Sequence, residues 1–398
     1  MDDKAGDMRT GEVIPITMPT LPPREEYQAR LERIWQTGRV TNGTMVREIE
    51  ELLADYIGDT HCVATANCTI GLILALKALG LDGAVILPSF TFFATAHSLI
   101  WNGLEPVFAD IDEQTLNISP SSVRSILEER KDISAIMAVH IFGNPCQVAE
   151  LGTLARRHNV KIVYDSAHAL GAESNGAKTG TFGDVEVFSL SPTKPLVAGE
   201  GGIISTSDEE LAMVLRYARD YGNEGDYDPR FIGLNARLSE FHAALALGSF
   251  DLLESNIIKR NALVMRYKNQ LNAVPGIEFQ EVSTNNRSTF KDFTILVEPR
   301  EYGMSRDVLS WWLMQQQIET RKYYYPPVHK TKAYWDRWGV LFDSRLPVTN
   351  RVSLRILALP IWSHMDSCIV DKVSEVVASA HWNAEEICAR FAECTVPQ

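Results

Sequence analysis

Asp165 closes a short apolar run, Lys161-Ile-Val-Tyr164, that reads as a buried strand, and Lys194 lies on a proline-flanked stretch downstream. Between them Asp184 to Ser189 alternates towards a second strand, and Ser189 precedes the lysine by five residues. Pro192 and Pro195 disfavour a helix around Lys194 and favour a tight, stiff loop. Gly199-Glu200-Gly201-Gly202 then lets the chain pass close to something bulky before the strand Ile203 to Ser205. Taken singly, an acid at a strand end is a turn or cap residue, and a lysine is a solvated charge. Together they can do carbonyl chemistry. A lysine amine on a rigid loop can condense with an aldehyde, and a strand-end acid can hold a protonated ring nitrogen. A serine hydroxyl just before that lysine can bond a phosphate oxygen.

Those are the demands of pyridoxal phosphate (PLP). At this point the chain closely resembles the DegT/StrS-type nucleotide-sugar aminotransferases, a branch of the fold-type-I PLP enzymes. The shared pattern is D-x-A-H-A-x-G-A from Asp165, then G-D, then F-S-x-x-x-x-K-x-L-x-x-G-E-G-G from Phe188. The resemblance implies that Lys194 carries PLP covalently and then shuttles a proton, and that Asp165 keeps the pyridine nitrogen protonated. It implies Ser189 on the phosphate and His168 over one face of the ring. The implied reaction moves an amino group from L-glutamate or L-glutamine to a nucleotide-linked keto-deoxysugar, giving an amino sugar.

Other elements must bring the remaining groups to that loop. Cys62 to Ala66 reads as a buried strand, and Asn67-Cys68-Thr69 leads into an almost wholly apolar helix, Ile70 to Leu79, with Thr69 as its N-cap. A helix N-terminus offers free N–H groups and partial positive charge to a phosphate. In the family this turn reads S-G-T-x-A and cradles the PLP phosphate, which places Cys68 and Thr69 there, although Asn67 and Cys68 replace the small residues. Phe92 matches the family's P-s-x-T-[FWY] aromatic over the other ring face. His140 ends the strand Ala135 to His140 and reads equally as a half-buried strand-end histidine. The alternation of strands and helices argues for a mainly parallel sheet covered by helices, with the ligand at the strands' carboxyl ends. Phe241 to Asn261 reads as one long helix linking to a smaller α+β part. Its lead-in, Gly233-Leu-Asn235-Ala-Arg237-Leu-Ser-Glu240, resembles the family turn that reaches the neighbouring subunit's active site. That implies a homodimer with shared sites, with Asn235 on the cofactor and Thr41 and Arg237 at the substrate. The family's x-Y-x-P-x-H run likewise puts Tyr325 and His329 in the sugar pocket.

The totals agree with such an enzyme. A chain of 398 residues is long enough for an α/β fold of two domains. We expect an N-terminal arm over 1–24, a PLP-binding large domain over 25–255 and a small C-terminal domain over 256–398. A net charge of −13 argues against nucleic acid or an anionic membrane as partner. Six scattered cysteines without a C-x-x-C pair argue against a zinc site and for reduced thiols in the cytoplasm. The polar start lacks a signal-peptide core, and no apolar run approaches the ~20 residues of a membrane helix. Metal is not expected. The rival readings are transamination of a free cyclitol ketone, a related PLP sugar dehydratase, and a PLP- or sugar-sensing regulator without turnover. The dehydratase branch has His where this chain has Lys194. An NAD enzyme would need G-x-G-x-x-G between strand and helix, which G-E-G-G after the lysine loop does not supply.

Overall fold

The apolar runs read above as strands become the middle of one sheet. The computed structural model describes residues 13–58 and 60–395. Its strands are β1 (His61–Thr65), β2 (Ala84–Pro88), β3 (Glu105–Ala109), β4 (Ile133–Val139), β5 (Lys161–Asp165), β6 (Glu173–Ser174) and β7 (Ala177–Lys178). There follow β8 (Val185–Ser189), β9 (Gly202–Thr206), β10 (Ile277–Phe279), β11 (Asn286–Arg287), β12 (Phe293–Val297) and β13 (Ile356–Leu359). Seven of them form a sheet in the order β1-β9-β8-β5-β4-β2-β3. The pairs from β3 through β2, β4 and β5 to β8 are parallel, and β9 runs antiparallel between β8 and β1. Strands β2, β8 and β9 are buried along their whole length, as a sheet with both faces covered requires. This is the mainly parallel α/β fold expected. The strand order reverses between β2 and β4, and the crevice at the strands' carboxyl ends is lined by Val139 of β4 and Asp165 of β5.

A second, smaller core surrounds the antiparallel sheet β10-β12-β13 and includes Leu263, Leu309 and Val373. Ile14 belongs to this core at 2% exposure and pairs with Ile318. The arm expected over residues 1–24 is thus docked where it is described, from residue 13, and its first twelve residues lie outside the described part.

Two local expectations are corrected. The helix read as Phe241 to Asn261 is two helices, Glu240–Phe250 and Leu253–Leu271, broken at Asp251-Leu252. Periodicity runs through the break because both helices bury apolar residues next to it. The N-cap of the helix Cys68–Ala78 is Asn67, whose side chain accepts from the Ile70 N–H at 2.9 Å; Thr69 sits one residue inside. Both residue types cap well, and the helix simply starts two residues earlier.

Candidate active site

Asp165 ends β5 beside the crevice and is held from two sides. The Thr95 hydroxyl donates to its Oδ2 at 2.7 Å and the Ala167 N–H to its Oδ1 at 3.1 Å. Thr95 in turn bonds the Thr91 hydroxyl at 2.8 Å. Burial pushes the Asp165 carboxyl above its usual range, opposed by those two hydrogen bonds and by the charges of Lys194 and His140. A cationic ring nitrogen beside it would oppose the shift further.

Lys194 sits on the expected tight loop. Its N–H closes a turn on the Ser191 carbonyl at 3.1 Å, with Pro192 inside that turn. The loop is fastened at its far end, where Asn256 donates to the Pro195 carbonyl and the Val197 N–H donates to Ser249. Burial, and next the positive charge of Lys291, push the Lys194 ammonium from 10.5 down to about 7. A large fraction of the amine is therefore free at neutral pH, the state that condenses with an aldehyde.

One cavity of about 580 Å³ brings Lys194 and Asp165 together with Cys68, Thr69, Phe92, His168 and Ser189. His168 is buried, accepts the Phe142 N–H on Nδ1 at 3.2 Å and is kept neutral by burial and by Lys194 and Lys291. Such a ring can lie flat on an aromatic cofactor without adding charge. Cys68 and Thr69 present the first turn of their helix. The approach of β9 to this turn explains the glycine-rich run. A Cβ at Gly202 would lie 2.6 Å from the Asn67 carbonyl carbon and 2.7 Å from the Cys68 nitrogen. The bulky object that the run passes is thus the backbone of the cradle itself. A buried low-pKa amine, a strand-end acid and a helix N-terminus around one cavity fit PLP.

The structure does not bring the other sequence candidates into that cavity. Thr41, Asn235 and Arg237 lie on an outer face, along the segment 233–239, where Thr41 pairs with Ser239. Arg237 donates to Asn235 at 3.1 Å and faces Asp220. Asn235 caps no helix, since Ser239 accepts the His242 N–H at the start of Glu240–Phe250. The same segment reaches the cradle from behind, through the Ala66 N–H to the Ala236 carbonyl at 2.8 Å. Glu240 accepts from the N–H groups of Gly43, Met45 and Val46, so this acid of the motif holds the start of Thr44–Ile57. Tyr325 lines an adjoining hollow of about 500 Å³ that shares Thr91, Phe92, Tyr323 and Tyr324 with the main cavity. The Arg306 guanidinium lies 4.4 Å from its ring centre. His329 is fully buried in the turn Val328–Lys330 and bonded through Nδ1 to Ser89 at 2.7 Å.

Several residues were missed. Thr91 is beside Phe92 and Thr95 is three places after it, four from Thr91, a spacing that could have been followed through the start of a helix. Lys291, just before β12, and Tyr323 and Tyr324, packed against the cluster of Phe90 and Phe142, line the cavity and are far away in sequence. His140 is not half-buried but fully buried, stacked on Tyr164 with its Nε2 3.5 Å from Glu186. Burial alone would lower its pKa, yet Cys146 and Glu186 raise it, while its Nδ1 accepts the Cys146 N–H at 3.0 Å. Among the described residues no group of three or more His, Cys, Asp or Glu side chains could hold a metal.

This arrangement on a mainly parallel α/β sheet defines an aminotransferase-type PLP enzyme. Specifically, the chain belongs to the DegT/DnrJ/EryC1/StrS aminotransferase family, whose sequence profile matches residues 23–378. It is 33% identical to the dTDP-4-amino-4,6-dideoxy-D-glucose transaminase of Escherichia coli, over 92% of this chain and 98% of that protein. It is 32% identical to the dTDP-3-amino-3,6-dideoxy-alpha-D-galactopyranose transaminase of Aneurinibacillus thermoaerophilus, over 89% and 95% of the two chains. The crystal structure of DesI in the presence of its TDP-sugar product superposes with a TM-score of 0.90, at 32% identity, over 98% of this chain and 97% of that one.

Proposed function

We propose that the protein transfers an amino group from L-glutamate or L-glutamine to a keto-deoxysugar carried on a nucleoside diphosphate. The observation that carries this reading is the shared cavity of Lys194, Asp165 and the Cys68–Thr69 helix start, with the Lys194 amine pushed down to about 7. The names of the relatives above favour a nucleotide-linked sugar over a free cyclitol. When bound, PLP supplies an aldehyde for amine exchange and a pyridine ring that withdraws electrons from the reacting carbon.

The chain's own residues do the rest. Lys194 Nζ holds the cofactor covalently. Once released, it takes the proton from the donor's α-carbon and returns it one atom along, as general base and then general acid. Asp165, oriented by Thr95 and Ala167, keeps a carboxylate against the ring nitrogen. The free N–H groups at Cys68 and Thr69, with the Ser189 hydroxyl, bind the phosphate. Phe92 and His168 hold the ring plane. In the first half-reaction the donor leaves as its 2-oxo acid; in the second the keto sugar leaves as the amino sugar, and no net electrons are gained or lost.

The exposed segment bearing Asn235 and Arg237, with Thr41 beside it, completes the site of a second copy in a homodimer. The cysteines are all free among the described residues, which suits a reducing compartment, and we place the enzyme in the cytoplasm. One experiment tests the core of the proposal. L-Glutamate or L-glutamine added to the PLP-loaded protein should abolish its visible absorbance band and release one 2-oxo acid per site. Borohydride reduction beforehand should fix the cofactor on Lys194. A spectrum unchanged by both amino acids, or label on another lysine, overturns the proposal.

A further inference from the structure

Lys291 is a cation in an unusual place. It is 6% exposed, lies just before β12, and lines the cavity that contains Lys194. Its neighbour Asp292 accepts from its Nζ at 2.8 and 3.1 Å but is not part of the cavity wall. Lys291 thus lines the cavity while Asp292 does not, although the Asp292 charge acts on Lys194 as well. An ammonium has three N–H donors, and one carboxylate takes at most two of them here. At least one donor remains for a ligand.

The position is rigidly built. The Lys291 N–H donates to the Phe142 carbonyl at 3.0 Å, and the buried Arg260 guanidinium clamps the carbonyls of Phe290 and Lys291 at 3.2 and 3.0 Å. Thr289 donates to the carbonyl of His168 at 2.6 Å, which ties the segment to a residue of the same cavity. Phe290 adopts a left-handed φ of 44° between those anchors. Asp292 pairs the buried Lys291 charge, but an ion pair gains little stability from burial that the surface would not give it.

We propose that Lys291 anchors the α-carboxylate of the amino donor. This rests on the transaminase reading given above. An amino acid in this cavity must present its α-hydrogen to Lys194, so its carboxylate needs a fixed partner. The cationic side chains of this chain on the cavity wall are Lys194 and Lys291, and Lys194 is the reacting amine. A carboxylate held by Lys291 fixes the α-carbon between the two lysines.

The test uses the PLP-loaded protein with Lys291→Met, Lys291→Gln and Lys291→Arg. The rate at which L-glutamate, and separately L-glutamine, bleaches the visible band gives the donor half-reaction. Calorimetric binding of 2-oxoglutarate to the amino form gives affinity without turnover. One charged hydrogen bond is worth a factor of about 10–100. Both neutral variants should lose about that factor in half-saturation for both amino acids and in 2-oxoglutarate affinity, and Lys291→Arg should recover most of it. Cofactor content should stay at the wild-type level in whichever neutral variant is read. Unchanged affinities in the neutral variants, with a wild type that bleaches normally, overturn the assignment alone. A loss seen with L-glutamate but not L-glutamine assigns Lys291 to the side-chain carboxylate and overturns the α-carboxylate. A wild type that neither amino acid bleaches overturns the transaminase reading, and the donor anchor with it.

Discussion

The low pKa of Lys194 makes cofactor loading itself a pH measurement. Lysine ordinarily titrates at 10.5, and Lys194 is pushed to about 7 by burial and then by Lys291. At pH 7 an ordinary lysine is neutral in roughly one molecule in 3,000, whereas Lys194 is neutral in about half. The reactive fraction is therefore about a thousandfold larger at neutral pH. Apoprotein mixed with PLP should form the covalent link at a rate that rises tenfold per pH unit in acid and levels off above about 7. Stopped-flow absorbance across a pH series measures this. Nα-acetyl-lysine with the same cofactor provides the control: it cancels titrations of PLP itself, and its rate should keep climbing towards 10.5. Removing the second cause, in Lys291→Met, should move the inflection upward, because the positive neighbour no longer disfavours the ammonium. A Lys194 profile that parallels the free amine up to pH 9 would refute the reasoning. It would mean that the buried amine is as well solvated as one in water.

Asp165→Asn removes the charge that faces the ring nitrogen. A broken buried pair costs about 3–5 kcal/mol, so the half-reaction with L-glutamate should slow by roughly two to four orders of magnitude; a near-native single-turnover rate would remove Asp165 from its role. Gly202→Ala puts a Cβ 2.6 Å from the Asn67 carbonyl carbon and must spread the cradle. Equilibrium dialysis should show PLP held about tenfold more weakly, the worth of one charged hydrogen bond, and unchanged retention would show that the cradle does not depend on this approach. For the dimer, Lys194→Ala and Asn235→Ala chains, each inactive alone, should regain roughly a quarter of wild-type activity when co-refolded equally. Half the dimers are then mixed, and one of the two sites in each is intact. Inactive mixtures with heterodimers confirmed by mass would place Asn235 in its own subunit's service.

How much of this was legible in the chain depends on sequence distance. Asp165, Ser189, Lys194 and the glycines around Gly202 fall within one stretch, and each sits where its local pattern says: a strand end, a turn, a close approach. Apolar runs of strand length bounded by polar turns sufficed for the parallel sheet, because a sheet buried on both faces leaves little choice of residue. The local pattern was weaker where two answers satisfy it equally. Asn67 and Thr69 both cap helices, and the break at Asp251-Leu252 interrupts hydrogen bonds without interrupting the apolar face.

What only the tertiary structure decided is which distant groups meet. Lys291 comes from the second core, about a hundred residues after Lys194, and nothing in Phe290-Lys-Asp292 distinguishes it from a surface ion pair until β12 is docked beside the crevice. The same packing turned His329 inward to Ser89 and made His140 a buried partner of Glu186. Residue type and spacing determine which chemistry a stretch can perform. The pKa of Lys194, and the partner left for a donor's carboxylate, depend on burial and on charges brought in from elsewhere in the chain, and those quantities exist only once the cavity is closed.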